Sequence, residues 1–387
     1  MADDFIYLDY AATTPVDAGV AARMLECRAC EFGNPSSNHV AGRTSRAAID
    51  RAATQLAALL NVNPDTLIWT SGATESDNLG IAGAARFRAN RGKHLVTMLT
   101  EHKAVTDTCQ MLEKQGFEVT WLKPDEQGRL NPSTFAAALR RDTQLASIMF
   151  VNNETGVIQD VRSIGSICRE HDVLLHVDAA QAVGKVPIDL QALPIDLLSL
   201  TGHKFYGPKG IGALYIADRP GCRVEPLLFG GGQQRRIRPG TLPVDLIAGL
   251  GLAAEIAAAR IADDLTHLTR LRRALWFGIS EVDGVLLNGD PDSGFPGILN
   301  VSVADVEGES LLLELEPLCV ATGSACNSTT QEPSYVLRAL GRSDRLAQSS
   351  IRFSMGRSTT REDVEFAARR YRDAVARLRD LAGTVVA

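Results

Sequence analysis

Lys204 closes the run Ser199-Leu200-Thr201-Gly202-His203-Lys204, where an apolar stretch that reads as a buried strand gives way to hydroxyl and imidazole neighbours. Desolvation at such a strand end disfavours the ammonium form, which frees the amine as a nucleophile for a Schiff-base cofactor. Upstream, Val173-Leu174-Leu175-His176-Val177-Asp178 ends a second apolar strand in a carboxylate, with Gln181 close behind. An acid there suits a protonated pyridine nitrogen and keeps the ring electron-poor. Taken alone, Asp178 equally suits the N-cap of a following helix, and Lys204 a surface position. A third run, 66–70, enters Ser71-Gly72-Ala73-Thr74-Glu75-Ser76 and then a helical pattern. Small residues with free backbone N–H groups at a helix start make an anion site, although an ordinary capped turn has the same composition. The three strand ends together supply a phosphate cradle, a pyridine partner and a Schiff-base amine.

Cys326 lies in Thr322-Gly323-Ser324-Ala325-Cys326-Asn327-Ser328-Thr329-Thr330, small and polar residues with neither helical nor strand periodicity, which predicts a mobile loop. A thiol on such a loop can swing in to attack a substrate and out to hand its cargo on. Arg352 offers a planar guanidinium that can bond both oxygens of a carboxylate, or alternatively a packed strand arginine. Cys109, Cys168, Cys222 and Cys319 read as thiols without a role. Cys27 and Cys30 are spaced as C-x-x-C, but ARMLECRACEF is helical, a spacing that puts both thiols on one face, and no second pair completes a metal site. No metal centre is expected. Arg235, Arg236 and Arg238 read as a solvated loop, and His39 as a residue supporting the site from behind.

The elements that must position these residues follow one theme. Candidate strands at 66–70, 94–98, 117–122, 145–151, 173–178, 195–200 and 211–216 alternate with helical patterns, which predicts a mostly parallel seven-stranded sheet flanked by helices. Ligands in that architecture collect beyond the carboxyl ends of the strands. An Ala- and Leu-rich stretch at about 244–281 predicts one long or kinked helix leading into a second, smaller α+β domain, with short strands near 285, at 298–303 and at 351–355. The last helix is expected to open on Thr359 and Glu362 in capping-box spacing and to run to about Leu381, before Gly383.

Composition sets outer limits. The chain has 387 residues, 45% of them hydrophobic and 22% charged, as in a globular enzyme, and a formal charge of -6 offers no positive field for nucleic acid or an anionic membrane. MADDFIYLDYAATTP has no basic segment followed by an apolar run, and no stretch is long and apolar enough to span a membrane. Seven scattered cysteines do not look like a disulfide framework, so a cytoplasmic location is expected.

Many ordered blocks carry a resemblance: YLDYAATTP, FGNPSS, TSGATESDNL, TEHKAV, VNNETG, HVDAAQAVGKVPIDL, TGHKFYGPKGIGALY, RPGTLP, GSAC, EPSYVLRALG and SIRFSMGR. The chain resembles the cysteine desulfurases, fold-type I pyridoxal-phosphate enzymes of the class V aminotransferase group, and in particular their housekeeping iron–sulfur-cluster branch. The resemblance implies a large cofactor-binding domain at 15–260 and a small domain formed by 1–14 and 261–387. It implies removal of sulfur from L-cysteine, giving L-alanine and a persulfide on Cys326 that acceptor proteins collect for iron–sulfur clusters or tRNA thiolation. Carried over by position, Lys204 holds pyridoxal 5'-phosphate and moves the Cα proton, Asp178 pairs with the ring nitrogen, and Gln181 bonds the ring oxygen. His102 stacks on the ring and assists proton transfer, and Ala73, Thr74, Thr201 and His203 hold the phosphate. Asn153 and Arg352 contact the substrate, and Thr241 reaches the phosphate of the other subunit, which implies a homodimer. Housekeeping members continue past the final helix with a segment that docks the cluster scaffold, whereas this chain stops at Ala387.

Overall fold

The computed structural model describes residues 5–322 and 332–386. In chain order the strands are β1 (Ile6–Tyr7), β2 (Leu67–Thr70), β3 (His94–Met98), β4 (Glu118–Leu122), β5 (Thr143–Ser147) and β6 (Leu174–Asp178). They continue with β7 (Leu197–Thr201), β8 (Gly212–Ile216), β9 (Val285–Asn288), β10 (Ile298–Val303), β11 (Leu318–Cys319) and β12 (Ser350–Ser354). Seven of them form one sheet in the order β2-β8-β7-β6-β5-β3-β4, in which β8 alone runs against its neighbours. Every residue of β3, β5, β6 and β7 is buried, as a sheet covered on both faces requires. The expected fold is therefore present.

β12, β10 and β9 form a separate antiparallel sheet, and β1 pairs in parallel with β11. The two larger sheets are linked by the Val244–Ile279 helix, one continuous element that packs on the Ala18–Cys30, Val40–Leu60 and Arg361–Val386 helices. Gly251 permits that packing, because a Cβ there would come within 2.5 Å of Ala52 Cα. Among the described residues no helix is long and apolar enough to cross a membrane.

Several local expectations need correction. The strand expected at 145–151 ends at Ser147, yet Ile148 and Phe150 still donate backbone N–H groups to His176 and Asp178 while the chain turns outward. The apolar run was legible, but the turn that carries Asn153 toward the sheet edge was not. The capping box of the last helix lies one residue later than expected: Thr360 Oγ1 accepts from Asp363 N, and Asp363 Oδ2 accepts from Thr360 N. Gly383 does not stop this helix, which continues to Val386. Cys27 is buried and Cys30 exposed, so the two thiols do not share an environment even though both lie on one helix.

Candidate active site

The ends of β6 and β7 and the start of the Ala73–Phe87 helix open on one cleft of about 290 Å³. Its walls include Ala73, Thr74, His102, Asn153, Asp178, Gln181, Thr201, His203, Lys204 and Arg352. Motifs scattered from residue 73 to residue 352 thus meet at the carboxyl ends of parallel strands, where the topology concentrates backbone turns.

Lys204 ends a single 3₁₀ turn, Gly202–Lys204, that follows β7 directly. Its Nζ donates to the carbonyls of Ala11 at 2.5 Å and Ala12 at 2.7 Å, so the N-terminal segment fixes where the amine sits. Asp178 is the last residue of β6, and its Oδ1 accepts the Ala180 N–H at 2.9 Å. Burial pushes its carboxyl up, while His102, that N–H and Lys204 act in the opposite direction. A cation brought beside Asp178 would restore the carboxylate form.

His102 caps the Lys103–Lys114 helix, with Nδ1 accepting from Ala104 N at 3.1 Å. That bond leaves Nε2 as the protonated nitrogen of the neutral ring, and burial lowers the pKa so that the neutral form dominates. His203 is pushed down to about 4 by burial and by Lys204, and its Nδ1 lies 3.2 Å from Thr13 Oγ1. Both imidazoles therefore enter the cleft uncharged.

The start of the Ala73–Phe87 helix is open. Its N-cap is Gly72, with φ +154° and no side-chain capping bond, and a Cβ placed there would sit 3.5 Å from Thr201 Oγ1. Backbone N–H groups, the helix dipole and the side chains of Thr74 and Thr201 therefore border a space without a competing cap, which suits a phosphate dianion. With a carboxylate at one strand end and an amine at the next, the cleft fits pyridoxal 5'-phosphate.

The opposite wall comes from the smaller sheet. Arg352, on β12, is buried; its Nη1 donates to the Asn153 carbonyl and its Nη2 to Asp9 Oδ1, both at 2.8 Å. Its Nε has no hydrogen-bond partner among the described residues. Asp9 went unnoticed in the sequence, although it sits within YLDYAATTP, because nothing local ties it to an arginine so far along the chain. Glu154, beside Asn153, is also buried and accepts from Ser334 Oγ at 2.5 Å. Burial raises its pKa to about 7, against the lowering influence of Ser334 and Arg352.

Beneath Asp178 lies a polar layer that sequence reading also missed. His176 contacts Ser147 Oγ through Nδ1 at 2.8 Å and Ser199 Oγ through Nε2 at 2.9 Å, and burial drives its pKa down to about 3. Asp77 lies 3.6 Å from the same Nε2, and burial together with Asp178 raises its pKa. The available signal was a histidine inside an apolar strand, two residues before the key acid and therefore on the same face.

Cys326 lies outside the described residues. Thr241 is not in the cleft; it borders a separate groove with Cys27, Phe32 and Asn34. Two secondary readings change. Arg238 is not merely solvated but pairs with Glu75 at 2.8 Å, bracing the first turn of the Ala73–Phe87 helix. His39 caps the Val40–Leu60 helix through Nδ1 instead of supporting the cleft.

The chain matches the family model described as aminotransferase class-V over residues 6–366. It is 52% identical over 379 residues to the cysteine desulfurase IscS of Enterobacter sp. (strain 638), covering 97% of this chain and 94% of that protein. Among solved structures, a NifS-like protein superposes with a TM-score of 0.90 at 34% identity, covering 97% of this chain and 100% of that one. SspA in complex with cysteine gives a TM-score of 0.82 at 36% identity, covering 92% and 99%.

Proposed function

The chain belongs to the class-V aminotransferase family and, within it, to the cysteine desulfurases, and from that premise we propose that it takes sulfur from L-cysteine with pyridoxal 5'-phosphate, releases L-alanine and carries the sulfur on Cys326. The observation that carries this reading is the convergence of Lys204, Asp178 and Arg352 on one cleft.

Bound there, the cofactor supplies an electron-poor ring that accepts the electrons released at the substrate's Cα. Asp178 would hold the ring nitrogen, His102 would lie against the ring, and Gln181 would donate to the ring oxygen. The Ala73–Phe87 helix start, with Thr74, Thr201 and His203, holds the phosphate. Arg352 takes the substrate carboxylate with the N–H groups that Asp9 and Asn153 leave open, and this aims Cα toward Lys204. Lys204 removes the Cα proton and, once the sulfur has left, returns a proton to Cα to complete L-alanine. The Cys326 thiolate then attacks the substrate Sγ: an S–S bond forms, the Cβ–Sγ bond breaks, and Cβ collects a proton to become the methyl group of alanine. Sulfur is oxidised to the persulfide level while Cβ is reduced from a C–S to a C–H carbon, so no outside oxidant is needed.

Residues 15–260 form the large domain in this reading, and 1–14 with 261–387 the small one. The enzyme acts as a homodimer in which Thr241 completes the partner's phosphate site, a role consistent with its distance from the cleft of its own chain. Acceptor proteins for iron–sulfur assembly or tRNA thiolation collect the persulfide in the cytoplasm, a location supported by six described cysteines that are all free thiols.

Two variants test the assignment, each assayed with L-cysteine and a thiol reductant. Cys326→Ser should keep the bound, visibly absorbing cofactor and lose sulfide release; undiminished release would move the nucleophile elsewhere. Lys204→Ala should lose both turnover and the absorbance of the lysine-bound cofactor.

A further inference from the structure

Lys185 plays no part in the reaction just described, yet it is a second amine close to Lys204, lining a narrow cavity that Lys204 also borders. It lies in the turn after β6, and its Nζ donates to Gln181 Oε1 at 2.6 Å. Gln181 in turn donates from Nε2 to the Ala11 carbonyl at 2.8 Å, and that carbonyl also accepts from Lys204. On its far side Lys185 Nζ stands 5.7 Å from the Phe295 ring centroid, in a narrow cavity that Lys204 also lines.

These contacts decide which end of an amide points where. A glutamine amide has a carbonyl that only accepts and an NH₂ that only donates, and its two ends are similar in shape. Ala11 O can face only the NH₂ end. The lysine supplies N–H donors, so it selects the carbonyl end. The two neighbours agree, and the second N–H of Nε2 is left for the cleft that Gln181 lines. Without Lys185 the carbonyl would be a buried acceptor lacking its donor, and a rotated amide would present that carbonyl to the ligand.

We propose that Lys185 is a positioning residue, one that orients the Gln181 amide so that an N–H, and not the carbonyl, faces the ring oxygen of pyridoxal 5'-phosphate. The proposal rests on the cofactor reading above. Burial, Lys204 and Arg352 hold the Lys185 amine well below its usual pKa, and His203 also lies within its electrostatic reach. Either protonation state retains an N–H for Gln181. An enclosed lysine beside a catalytic lysine would otherwise be an unfavourable placement, which the amide contact offsets.

The experiment is a double-variant cycle on cofactor-loaded protein, reading the rate at which pyridoxal 5'-phosphate leaves after dilution, with thermal melting of the cofactor-free forms as a control. Lys185→Met and Gln181→Ala should each speed cofactor loss about fivefold, the effect of one neutral hydrogen bond, and the double variant should lose it no faster than either. Multiplicative effects, about 25-fold in the double variant, would show that Lys185 acts through packing and not through Gln181. If Lys185→Met does not fold, Lys185→Gln keeps a donor near the amide and should retain cofactor within about twofold of the parent; a full fivefold loss there overturns the proposal. Parent protein that retains no pyridoxal 5'-phosphate would defeat the cofactor reading itself, whereas parent retention with multiplicative variants defeats only the role of Lys185.

Discussion

The two walls of the cleft are built on different plans. The cofactor wall comes from the ends of adjacent parallel strands, and most of its contacts are to near neighbours in sequence, Asp178 to Ala180, His102 to Ala104 and Gln181 to Lys185, with the Ala11 and Ala12 carbonyls as the distant holds on Gln181 and Lys204. The substrate wall is assembled from distant segments. Arg352 on β12 is held by Asp9 from the N-terminal segment and by Asn153 from the turn beyond β5. Its position therefore depends on the smaller sheet docking correctly against the larger one, whereas Asp178 and His102 are set by their own strand and helix ends. Errors of docking should cost substrate affinity before they cost cofactor binding.

The sharpest way to break that comparison is Arg352→Lys, which keeps the charge and removes the planar fork. Sulfide release at limiting cysteine should fall roughly 100-fold, because hydrogen bonds from a charged group to the substrate carboxylate are lost, while cofactor retention stays near that of the parent. Loss of cofactor in this variant would mean that the two walls are not independent. Asp9→Asn is the milder probe. It leaves Arg352 in place but removes the carboxylate that aims it, so KM for cysteine should rise about tenfold, as for loss of one charge-assisted contact, with kcat changed less. A fall in kcat with unchanged KM would instead place Asp9 in the chemical step.

The same contrast explains what the sequence disclosed. Residues 173–178 and 195–204 announce themselves because buried parallel strands are continuous apolar runs, so a carboxylate or an amine closing such a run stands out. Asn153 and Arg352 rested on the resemblance, since neither Arg352 nor Arg357 in SIRFSMGR looks different from a packed arginine. Asp9 and Glu154 were illegible: a carboxylate matters there only because a guanidinium from β12, or a hydroxyl from the N-cap of the Tyr335–Ala339 helix, is brought to it across the sequence. The end of β5 failed for a related reason, because 148–151 remains apolar and hydrogen-bonded to the end of β6 after the regular strand has stopped.

Glu154 is probed through stability and not through turnover. Its carboxyl ties the turn beyond β5 to the N-cap of the Tyr335–Ala339 helix through Ser334, and burial places its folded pKa at about 7, above the unfolded value of 4.5. Between those values the native state binds more protons than the unfolded chain, so this group's contribution to stability is full below about pH 4.5 and is lost as the pH rises through about 7. The whole change is at most roughly 3 kcal/mol, from about 1.4 kcal/mol per pKa unit. Glu154→Gln keeps an acceptor for Ser334 but cannot ionise, so its melting temperature should gain on that of the parent from about pH 5 to about pH 7 and level off above that. Parallel curves for the two proteins would mean that Glu154 ionises as freely in the fold as outside it. The turn beyond β5 would then carry no buried acid with a raised pKa, and the hold on Arg352 by Asp9 and the Asn153 carbonyl would have no pH-dependent neighbour.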